Sequence, residues 1–466
     1  MFAIPGIIAL VIFIYARPQE FFERLQALPL LYLFFALALY GAFVDVRAGN
    51  LRLRSTPQFR WVLAFFAYAS LTVLIRAPSD AFSHILSLAV CVALYALIAH
   101  GVQTFRALHV VAGTVVAMVL VVCGVGAHQG FAPTGCVVVD EANRGDNASG
   151  TPDGRPCDTV RSCYLGDAEP GAEYLCEHIG LFGTTSVGRG RVRYRGVLQD
   201  PNELALAGGV GLPLAFALGR VPRRSLGRGA LVALTLALVV LCAVLTGSRS
   251  GQLVFLAVVG IYFFHRFGWK GVLVAGTAAL PLLVLGGRSG AEAESSTTER
   301  IDCWAEALSM WKANPIIGVG LGQFGEYHYL TAHNSYLLTL AELGPLGMLL
   351  FSIVVYLSLK IPLGVLRHVT PASEADASGG VSVARPWAMA LLAAFAGLIV
   401  GIFFLSFAYH YVLWIYVGLA GALYSAVRTH DPSFRVRFGL KDLALVLAAN
   451  AGIVATVFLY TKWALR

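Results

Sequence analysis

His333 and Asn334 stand where a polar loop meets a long apolar run, a place where a titratable side chain can act at a membrane surface. An imidazole there can accept a proton from a hydroxyl group near neutral pH. The adjacent Asn334 amide can orient a bound group. After nine intervening residues, Gly344 begins a Gly-x-x-Gly step that allows close helix packing. The alternative is that His333 serves only as a structural helix cap.

Arginines in an earlier loop could stabilise negative charge on a phosphorylated ligand. They occupy every second position of 189–195, ending with Arg193 and Arg195, so an extended segment would place them on one face. Guanidinium groups in such a row suit phosphate oxygens. Asp200 is the expected cap of the helix start in the following Asp-Pro-Asn sequence, where Asn202 is a further candidate ligand. The alternative is a solvated basic loop.

Arg249 interrupts a long apolar stretch at the turn formed by residues 246–251. An arginine at membrane depth is costly and is a functional candidate for that reason. The alternative is that its side chain reaches out to lipid headgroups. The neighbouring Gly and Ser residues leave room for a ligand, which favours function.

The loop before His333 contains a predicted amphipathic helix. Ser296 and Glu299 form a capping-box pattern, and Arg300 follows them. Apolar residues then recur at helical spacing, which predicts a helix lying at the membrane interface. These residues are Ile301, Trp304, Leu308 and Trp311.

A glycine-rich run leads from that helix to Tyr327 and His328, which could orient an acceptor together with Asn334. Its glycines at 320, 322 and 325 match the dinucleotide-binding fingerprint literally. We reject that function because no strand–turn–helix unit surrounds the glycines. No cofactor is expected. No metal site is expected either, because the predicted outer loops contain no compact carboxylate cluster.

Composition places these candidates in a membrane protein. Of 466 residues, 58% are hydrophobic and 13% charged, and the mean hydropathy is +0.73. Continuous apolar runs of roughly 16–22 residues predict helices rather than a barrel. We therefore predict an all-α, polytopic transmembrane bundle. The predicted spans are 2–16, 26–44, 61–76, 82–100, 107–127, 203–219, 229–246, 251–265, 271–286, 335–359, 386–406, 411–427 and 443–463.

Arginine placement predicts the orientation of the bundle. The basic loops at 45–60, 220–228, 265–270 and 428–441 share one side by helix parity, and this side is expected to be the cytoplasm. The two long polar loops then face outward. Five regions follow: N-terminal helices 1–128, an outer loop 129–202, central helices 203–286, a second outer loop 287–334 and C-terminal helices 335–466. The net charge of +8 reflects these loops, and nucleic-acid binding is not expected because base-stacking and groove-entering elements are missing.

Four of the eight cysteines fall in the first outer loop: Cys136, Cys157, Cys163 and Cys176. Their clustering predicts two disulfides in an oxidising compartment. Three pairings are open, and the sequence does not choose among them. A zinc site is the alternative, although the spacing is unusual for one.

Several of these segments together resemble the O-antigen ligase and O-antigen polymerase superfamily. They are 195–202, the Thr-Gly-Ser-Arg-Ser-Gly turn at 246–251, the stretch from Arg300 through the glycine-rich run, and the His-Asn-x9-Gly-x-x-Gly motif at 333–347. The likeness covers roughly 190–360. The long cysteine-containing loop departs from the usual pattern. About thirteen spans rather than twelve would place the C-terminus outside.

The resemblance implies a GT-C-like bundle of twelve to thirteen spans in the bacterial inner membrane, with the active site facing the periplasm. It implies a glycosyltransferase of lipopolysaccharide or polysaccharide biosynthesis that uses undecaprenyl-pyrophosphate-linked glycan. By similarity, His333 would be the base, and Arg195 and Arg249 would contact pyrophosphate. A ligase passes the glycan to lipid A-core, a polymerase passes it to another lipid-linked glycan, and a third type glycosylates a protein. The ligase is favoured here by the His333 motif.

A lipid-linked-sugar flippase or other transporter is the alternative from a different class. Transport calls for ionisable groups at mid-membrane and often for paired halves. The predicted spans are nearly free of charge, with Glu342 the main exception, and no half-repeat is visible.

Overall fold

The computed structural model describes residues 1–52, 54–139, 150–188, 190–220, 225–285, 291–369 and 383–465. Within these ranges the chain forms fifteen α-helices and one small sheet. The helices are α1 (Ala3–Ala16), α2 (Glu23–Gln26), α3 (Leu30–Arg47), α4 (Phe59–Arg76), α5 (Ala81–Gly101), α6 (Phe105–Phe131), α7 (Pro201–Arg220), α8 (Leu226–Leu245), α9 (Arg249–Leu285), α10 (Ala291–Ala313), α11 (Phe324–Tyr327), α12 (Ser335–His368), α13 (Ala384–Ile402), α14 (Tyr411–His430) and α15 (Leu440–Ala464).

Twelve helical segments of the described chain are long and apolar enough to cross a membrane. The predicted all-α polytopic bundle is therefore confirmed. Helices α7 and α14 lie at its centre, since nearly all of their residues are buried. Helix α1 packs against α3 and α6 and buries Ile7, Leu10 and Ile14, so it belongs to the core of the bundle.

Helix α9 is interrupted at Gly268, which has φ 63° and ψ −150°. A Cβ atom on Gly271 would lie only 2.5 Å from the carbonyl oxygen of Phe263. Eight residues of continuous helix rise about 12 Å, so the chain must change direction between these two residues. The spans predicted at 251–265 and 271–286 correspond to the two halves of α9.

Side-chain contacts define two ends of the bundle. At the first, called the basic end, Arg54 bonds Thr429 (3.3 Å) and Phe105 stacks on His430 (5.4 Å). At the other, called the site end, the Tyr194 hydroxyl donates to the Ala16 carbonyl (2.9 Å). Two of the loops predicted to be cytoplasmic, 45–60 and 428–441, meet at the basic end through their described residues, and Arg220 and Arg266 of the other two line one cavity. The described parts of both long polar loops lie at the site end.

The last helix returns to the site end. Trp304 of α10 lies 6.2 Å from the ring of Tyr460, and Lys312 lies 4.9 Å from the ring of Phe458. Both aromatic residues belong to the C-terminal part of α15. The described chain therefore ends on the side that carries the two polar loops. Twelve candidate spans agree with this placement only if the two halves of α9, counted there as one, cross separately.

The first long loop contains a sheet that the sequence did not predict. Strands β1 (Thr134–Val139), β2 (Gly150–Pro156) and β3 (Tyr174–His178) form an antiparallel sheet in the order β2-β1-β3. Disulfides join Cys136 to Cys163 and Cys157 to Cys176. One of the three open pairings is thereby selected, and the sulfur atoms that could have held zinc are engaged in these bonds.

Helix α10 is amphipathic at the predicted positions, since Ile301, Trp304 and Leu308 are buried against α12 and α15. Its start differs from the prediction because the helix begins at Ala291, so the expected cap Ser296 lies inside it. The hydroxyl of the neighbouring Ser295 instead bonds Glu299 across one helical turn (3.0 Å). A capping-box pattern inside a longer helix thus supplied a false start signal.

Candidate active site

Helix α7 begins with the Asp-Pro-Asn sequence, and Asp200 caps it as predicted. The Asp200 carboxylate accepts a hydrogen bond from the backbone N–H of Asn202 (2.6 Å) and another from its side-chain amide (2.8 Å). These bonds satisfy a helix N-terminal donor and also fix the orientation of the Asn202 side chain. The amide oxygen of Asn202 is thereby held ready to accept from a neighbouring element.

That neighbouring element is the turn between α8 and α9. The Ser248 hydroxyl donates to Asn202 Oδ1 (2.6 Å), and the Ser250 hydroxyl makes a longer bond to the same atom (3.4 Å). A Cβ on Gly251 would lie 2.3 Å from the Cβ of Ala205, so glycine permits the close approach. The two motifs predicted separately at 195–202 and 246–251 are therefore in direct contact.

Arg249 is the first residue of α9 and is exposed, whereas the flanking Ser248 and Ser250 are buried. The two serines therefore hold the turn against α7 while the arginine projects from it. Arg249 is thereby placed at the site end of the bundle. A helix N-terminus at this position adds a favourable environment for an anion.

His333 directly precedes the cap of α12. Asn334 is completely buried, and its Oδ1 accepts from the backbone N–H groups of Tyr336 and Leu337, both at 3.0 Å. His333 itself has φ 45°, a left-handed conformation that is uncommon for a residue other than glycine. Such strain is often found at functional sites. The helix is therefore capped by Asn334, and the cap role considered for His333 is filled by its neighbour.

Charged side chains from three elements act on the His333 imidazole. Burial lowers the pKa of His333, the Asp200 carboxylate opposes this effect, and the positive charge of Arg300 and the neighbouring His328 ring reinforce it. A lowered pKa keeps the ring neutral at physiological pH, which is the form that accepts a proton. The start of α7, helix α10 and the loop before α12 thus converge around one imidazole.

A break in helix α12 organises that loop. Gly344 has φ 67° and ψ −173°, so the carbonyl groups before it lose their helical partners. The N–H of Val319 donates to the Ala341 carbonyl (3.0 Å). The N–H of Gly320 donates to the Glu342 carbonyl (2.8 Å). The glycine-rich run therefore satisfies backbone groups that could not remain unpaired inside a membrane.

Glycine is needed on both sides of this contact. A Cβ on Gly344 would lie 2.2 Å from the Ile316 carbonyl oxygen, and a Cβ on Gly318 would lie 2.4 Å from the Ala341 carbonyl oxygen. The close approach predicted for Gly344 is real, but its partner is a loop and not a second helix. The prediction of helix–helix packing at this step was wrong because the sequence does not show the helix break.

Glu342 links the break to the residues predicted to orient an acceptor. Its buried carboxylate accepts from the backbone N–H of Phe324 (3.1 Å), the first residue of α11. Tyr327 ends α11 and is 57% exposed. His328 follows and stacks on Tyr329 with ring centroids 4.7 Å apart. Tyr327 therefore faces outward, while His328 lies inside the loop near the His333 imidazole.

In the predicted row of arginines, Arg193 is buried and Arg191 and Arg195 are half-buried. Arg193 is only 2% exposed and donates to the Thr185 carbonyl (3.0 Å), and Arg195 donates to the carbonyls of Gly183 and Glu20. The two groups share one face, as predicted, but this face packs against residues 183–185. Burial lowers the pKa of Arg193 to about 10, so it remains charged at neutral pH. Arg189 lies outside the described residues.

Arg195 borders a polar cleft of about 410 Å³ between the bundle and the disulfide-bonded loop. Arg17, Arg193 and Gln199 line it too, whereas His333 and Arg249 do not. The structure thus joins Asn202 to the Arg249 turn, and the charges of Asp200 and Arg300 act on the pKa of His333. It does not gather His333, Arg249 and Arg195 around this cleft.

Asp200 is the residue that the sequence analysis undervalued. Its carboxylate acts on His333, caps α7 and, with Glu177, offsets part of the lowering of the Arg193 pKa by burial. The sequence did contain a pattern that could have identified Asp200 as a functional residue, because Asp200 lies in the same motif as Asn202. A capping function alone explained the Asp-Pro-Asn pattern, so nothing in the sequence demanded a second function.

The comparison with known families agrees with the motifs. A family model described as O-antigen ligase matches residues 207–352. This range contains Arg249, Arg300 and His333, and it begins shortly after Asn202. No curated protein matches the chain. The family resemblance predicted from the motifs is confirmed.

Proposed function

We propose that this chain, whose residues 207–352 belong to the O-antigen ligase superfamily, moves a glycan from undecaprenyl pyrophosphate to an acceptor hydroxyl group. The proposed type is the ligase, whose acceptor is lipid A-core. The protein would lie in the bacterial inner membrane with its site end toward the periplasm. The concentration of arginine loops at the basic end supports this orientation.

The environment of His333 is the observation that carries the proposal. A neutral imidazole stands in a strained conformation at the start of a membrane helix, with Asp200 and Arg300 close enough to act on it. A helix cap would need neither the strain nor the two opposite charges, and Asn334 already performs that task. A general base for a hydroxyl group needs a side chain that is neutral at the working pH.

The reaction transfers one glycosyl group by a single displacement. His333 takes the proton of the acceptor hydroxyl as its oxygen attacks the anomeric carbon of the donor. The bond between that carbon and the pyrophosphate oxygen breaks, and undecaprenyl pyrophosphate leaves with the bonding electron pair. Arg249 stabilises the charge that develops on the leaving group. Arg195 contributes from the neighbouring cleft through the long-range field of its charge.

Binding of the acceptor is assigned to residues around His333. The exposed Tyr327 is suited to contact a sugar, and His328 and Arg300 border the same imidazole. Asn334 is assigned to the binding site by its position next to His333, and its buried side-chain N–H₂ has no partner among the described residues. Asn202 and Arg193 act by positioning, since their polar groups bond to Ser248 and Thr185.

The proposed reaction requires neither a metal ion nor a cofactor, because arginines supply the positive charge that a divalent cation would otherwise supply. A purified preparation treated with EDTA should retain its full rate. Restoration by magnesium of a rate lost in EDTA would contradict this part of the proposal.

Transfer by the purified protein tests the function directly. The wild type should release undecaprenyl pyrophosphate while it joins glycan to lipid A-core. His333→Ala and Arg249→Ala should each abolish transfer and leave expression intact. His430→Ala and Arg437→Ala, which change the same residue types at the basic end, are the matched controls. Wild-type turnover in His333→Ala would refute the assignment of the base.

Deletion of the gene distinguishes the type of transfer. A ligase mutant should accumulate long lipid-linked chains and leave lipid A-core bare. Single capped units would instead identify a polymerase of the same superfamily, and an unchanged glycan with an unmodified protein would identify a protein glycosyltransferase. Movement of the lipid-linked glycan across a vesicle membrane without bond cleavage would show that the protein is a transporter and not an enzyme.

A further inference from the structure

A large apolar groove lies on the outer surface of the bundle, separate from the candidate active site. Its volume is about 950 Å³, near the upper end of the range for small-molecule sites. Both halves of α9 line it together with α12 and α13. The lining includes Leu256, Gly260, Leu359, Leu363, Leu392 and Val400.

Cationic side chains surround the mouth of this groove at the basic end. Arg367 and Arg385 line the groove itself. A smaller adjoining cavity of about 380 Å³ shares Arg385 and adds Arg220 and Arg266. Among the residues that the structure describes, no acidic side chain lines either cavity. The mouth therefore attracts a negatively charged group, while the groove behind it is apolar.

Three of these four arginines are exposed, and the fourth, Arg385, is held in place. Arg385 donates to the carbonyls of Leu366 (3.0 Å) and Val369 (2.6 Å), which fixes it beside the C-terminus of α12. Arg266 and Arg367 are exposed on either side of it. Arg385 thus satisfies C-terminal carbonyls of α12. Arg220, Arg266 and Arg367 are exposed at the surface.

The dimensions of the groove fit one membrane leaflet. Along α13 the distance from Arg385 to Val400 is about 22 Å at about 1.5 Å per residue. One leaflet of hydrocarbon is about 15 Å thick, and a headgroup adds to that length. Trp269, at the turn of α9, is 76% exposed beside the cationic mouth. Tryptophan at this level is typical of the membrane–water interface.

We propose that this groove binds an anionic diacyl phospholipid, with its phosphate among Arg266, Arg367 and Arg385 and its acyl chains along α9, α12 and α13. Charge complementarity at the mouth and the length of the apolar part support this occupant. A free phosphate would need no apolar groove, and a zwitterionic lipid would gain less from three cations. The site lies at the end opposite to His333, so its occupant is not the substrate of the proposed reaction.

The role of the arginines at the mouth is tested by adding phospholipid to delipidated protein and measuring how much lipid it binds. In native mass spectrometry the wild type should retain phosphatidylglycerol in preference to phosphatidylethanolamine. The double variant Arg266→Gln/Arg367→Gln should lower the apparent affinity for phosphatidylglycerol roughly tenfold or more, since each cation contributes about a fivefold factor. Arg47→Gln/Arg437→Gln removes two exposed arginines of the same end outside the groove and should leave retention unchanged.

A second pair of variants tests the apolar part. A Cβ on Gly260 or on Gly452 would meet no atom within 4 Å, so both positions accept a larger side chain. Gly260→Leu fills the groove and should reduce lipid retention, whereas Gly452→Leu on α15 should not. Equal retention of the two phospholipids by the wild type would overturn the proposal. Equal losses in groove and control variants, or displacement of phosphatidylglycerol by equimolar undecaprenyl phosphate, would also overturn it.

Discussion

The hydroxyl of Ser248 donates a 2.6 Å hydrogen bond to the side-chain oxygen of Asn202, across 46 positions of sequence. This bond connects the cap of α7 to the turn that carries Arg249. Both side chains are buried, so water does not compete for the bond. The position of an exposed, catalytically assigned arginine therefore depends on a contact beneath it.

Removal of that contact should affect both stability and turnover. Ser248→Ala loses the bond to Asn202 and the bond that Gly251 N–H makes to the serine hydroxyl (3.0 Å). We expect a loss of about 1–3 kcal/mol in unfolding free energy and a lower kcat, because Arg249 is no longer held in place. Thermal unfolding and glycan transfer measure the two effects. Ser295→Ala, on the exposed face of α10, is the control. An unchanged kcat in Ser248→Ala would show that this hydrogen bond does not contribute to catalysis.

The pH profile should report the environment of His333. The base acts when neutral, so activity is lost as pH falls through its pKa. Burial places that pKa below the ordinary value of 6.5, and Asp200 opposes the shift. Asp200→Asn removes the negative charge but keeps an oxygen that can cap α7, so the acid limb of kcat/KM should move to lower pH. A limb that stays in place would show that Asp200 does not act on the base.

Substitution of Arg300 should shift the pH profile in the direction opposite to that expected for Asp200→Asn. Its positive charge lowers the pKa of His333, so Arg300→Gln should move the acid limb of kcat/KM to higher pH. Arg437→Gln removes an equal charge at the other end of the bundle and should leave the limb unmoved. A limb that shifted to lower pH in Arg300→Gln would contradict the arrangement of charges described here.

The contact between the glycine-rich loop and α12 should be intolerant of a methyl group. Gly344→Ala would combine a positive φ with a Cβ 2.2 Å from the Ile316 carbonyl oxygen. We expect a destabilisation of about 2 kcal/mol or more, seen as reduced thermal stability in detergent. Gly325→Ala, where a Cβ would meet no atom within 4 Å, is the matched control. Equal stability of the two variants would be inconsistent with the broken helix.

The disulfides should stabilise the outer loop rather than the bundle. Cys136 and Cys163 are 27 positions apart, and a bridge of this size contributes typically 2–4 kcal/mol. The double variant Cys136→Ser/Cys163→Ser should expose the loop to proteolysis while the helical content stays constant by circular dichroism. Protease mapping and free-thiol labelling check this outcome. A loop that resists protease as the wild type does would mean that the sheet is stable without the bridge.

Much of this architecture follows from local sequence. The spans at 335–359 and 411–427 were placed to within a few residues of each described start, because continuous apolar runs report helices in a membrane. The division of α9 was anticipated for the same reason, since Arg266 and Lys270 interrupt the apolar run around Gly268. The cap at Asp200 was also predicted, because its bond reaches only two residues along the chain.

Contacts between segments that are distant in sequence could not be predicted from the sequence. Parity could place Arg195, Arg249 and His333 at one end of the bundle, but it could not show that Arg195 turns toward Gly183. The opposing charges of Asp200 and Arg300 at His333 arise from three separate elements. A break at Gly344 that is filled by residues 318–320 depends on two backbones meeting.

Hydrophobicity, caps and charge bias therefore defined the helices, their ends and the side of the bundle on which chemistry takes place, because each depends on neighbours along the chain. The partners of each polar group became known only from the folded bundle. A buried hydrogen bond or ion pair is chosen by whichever donor and acceptor the packing of helices brings within about 3 Å, and that choice is made between residues far apart in sequence.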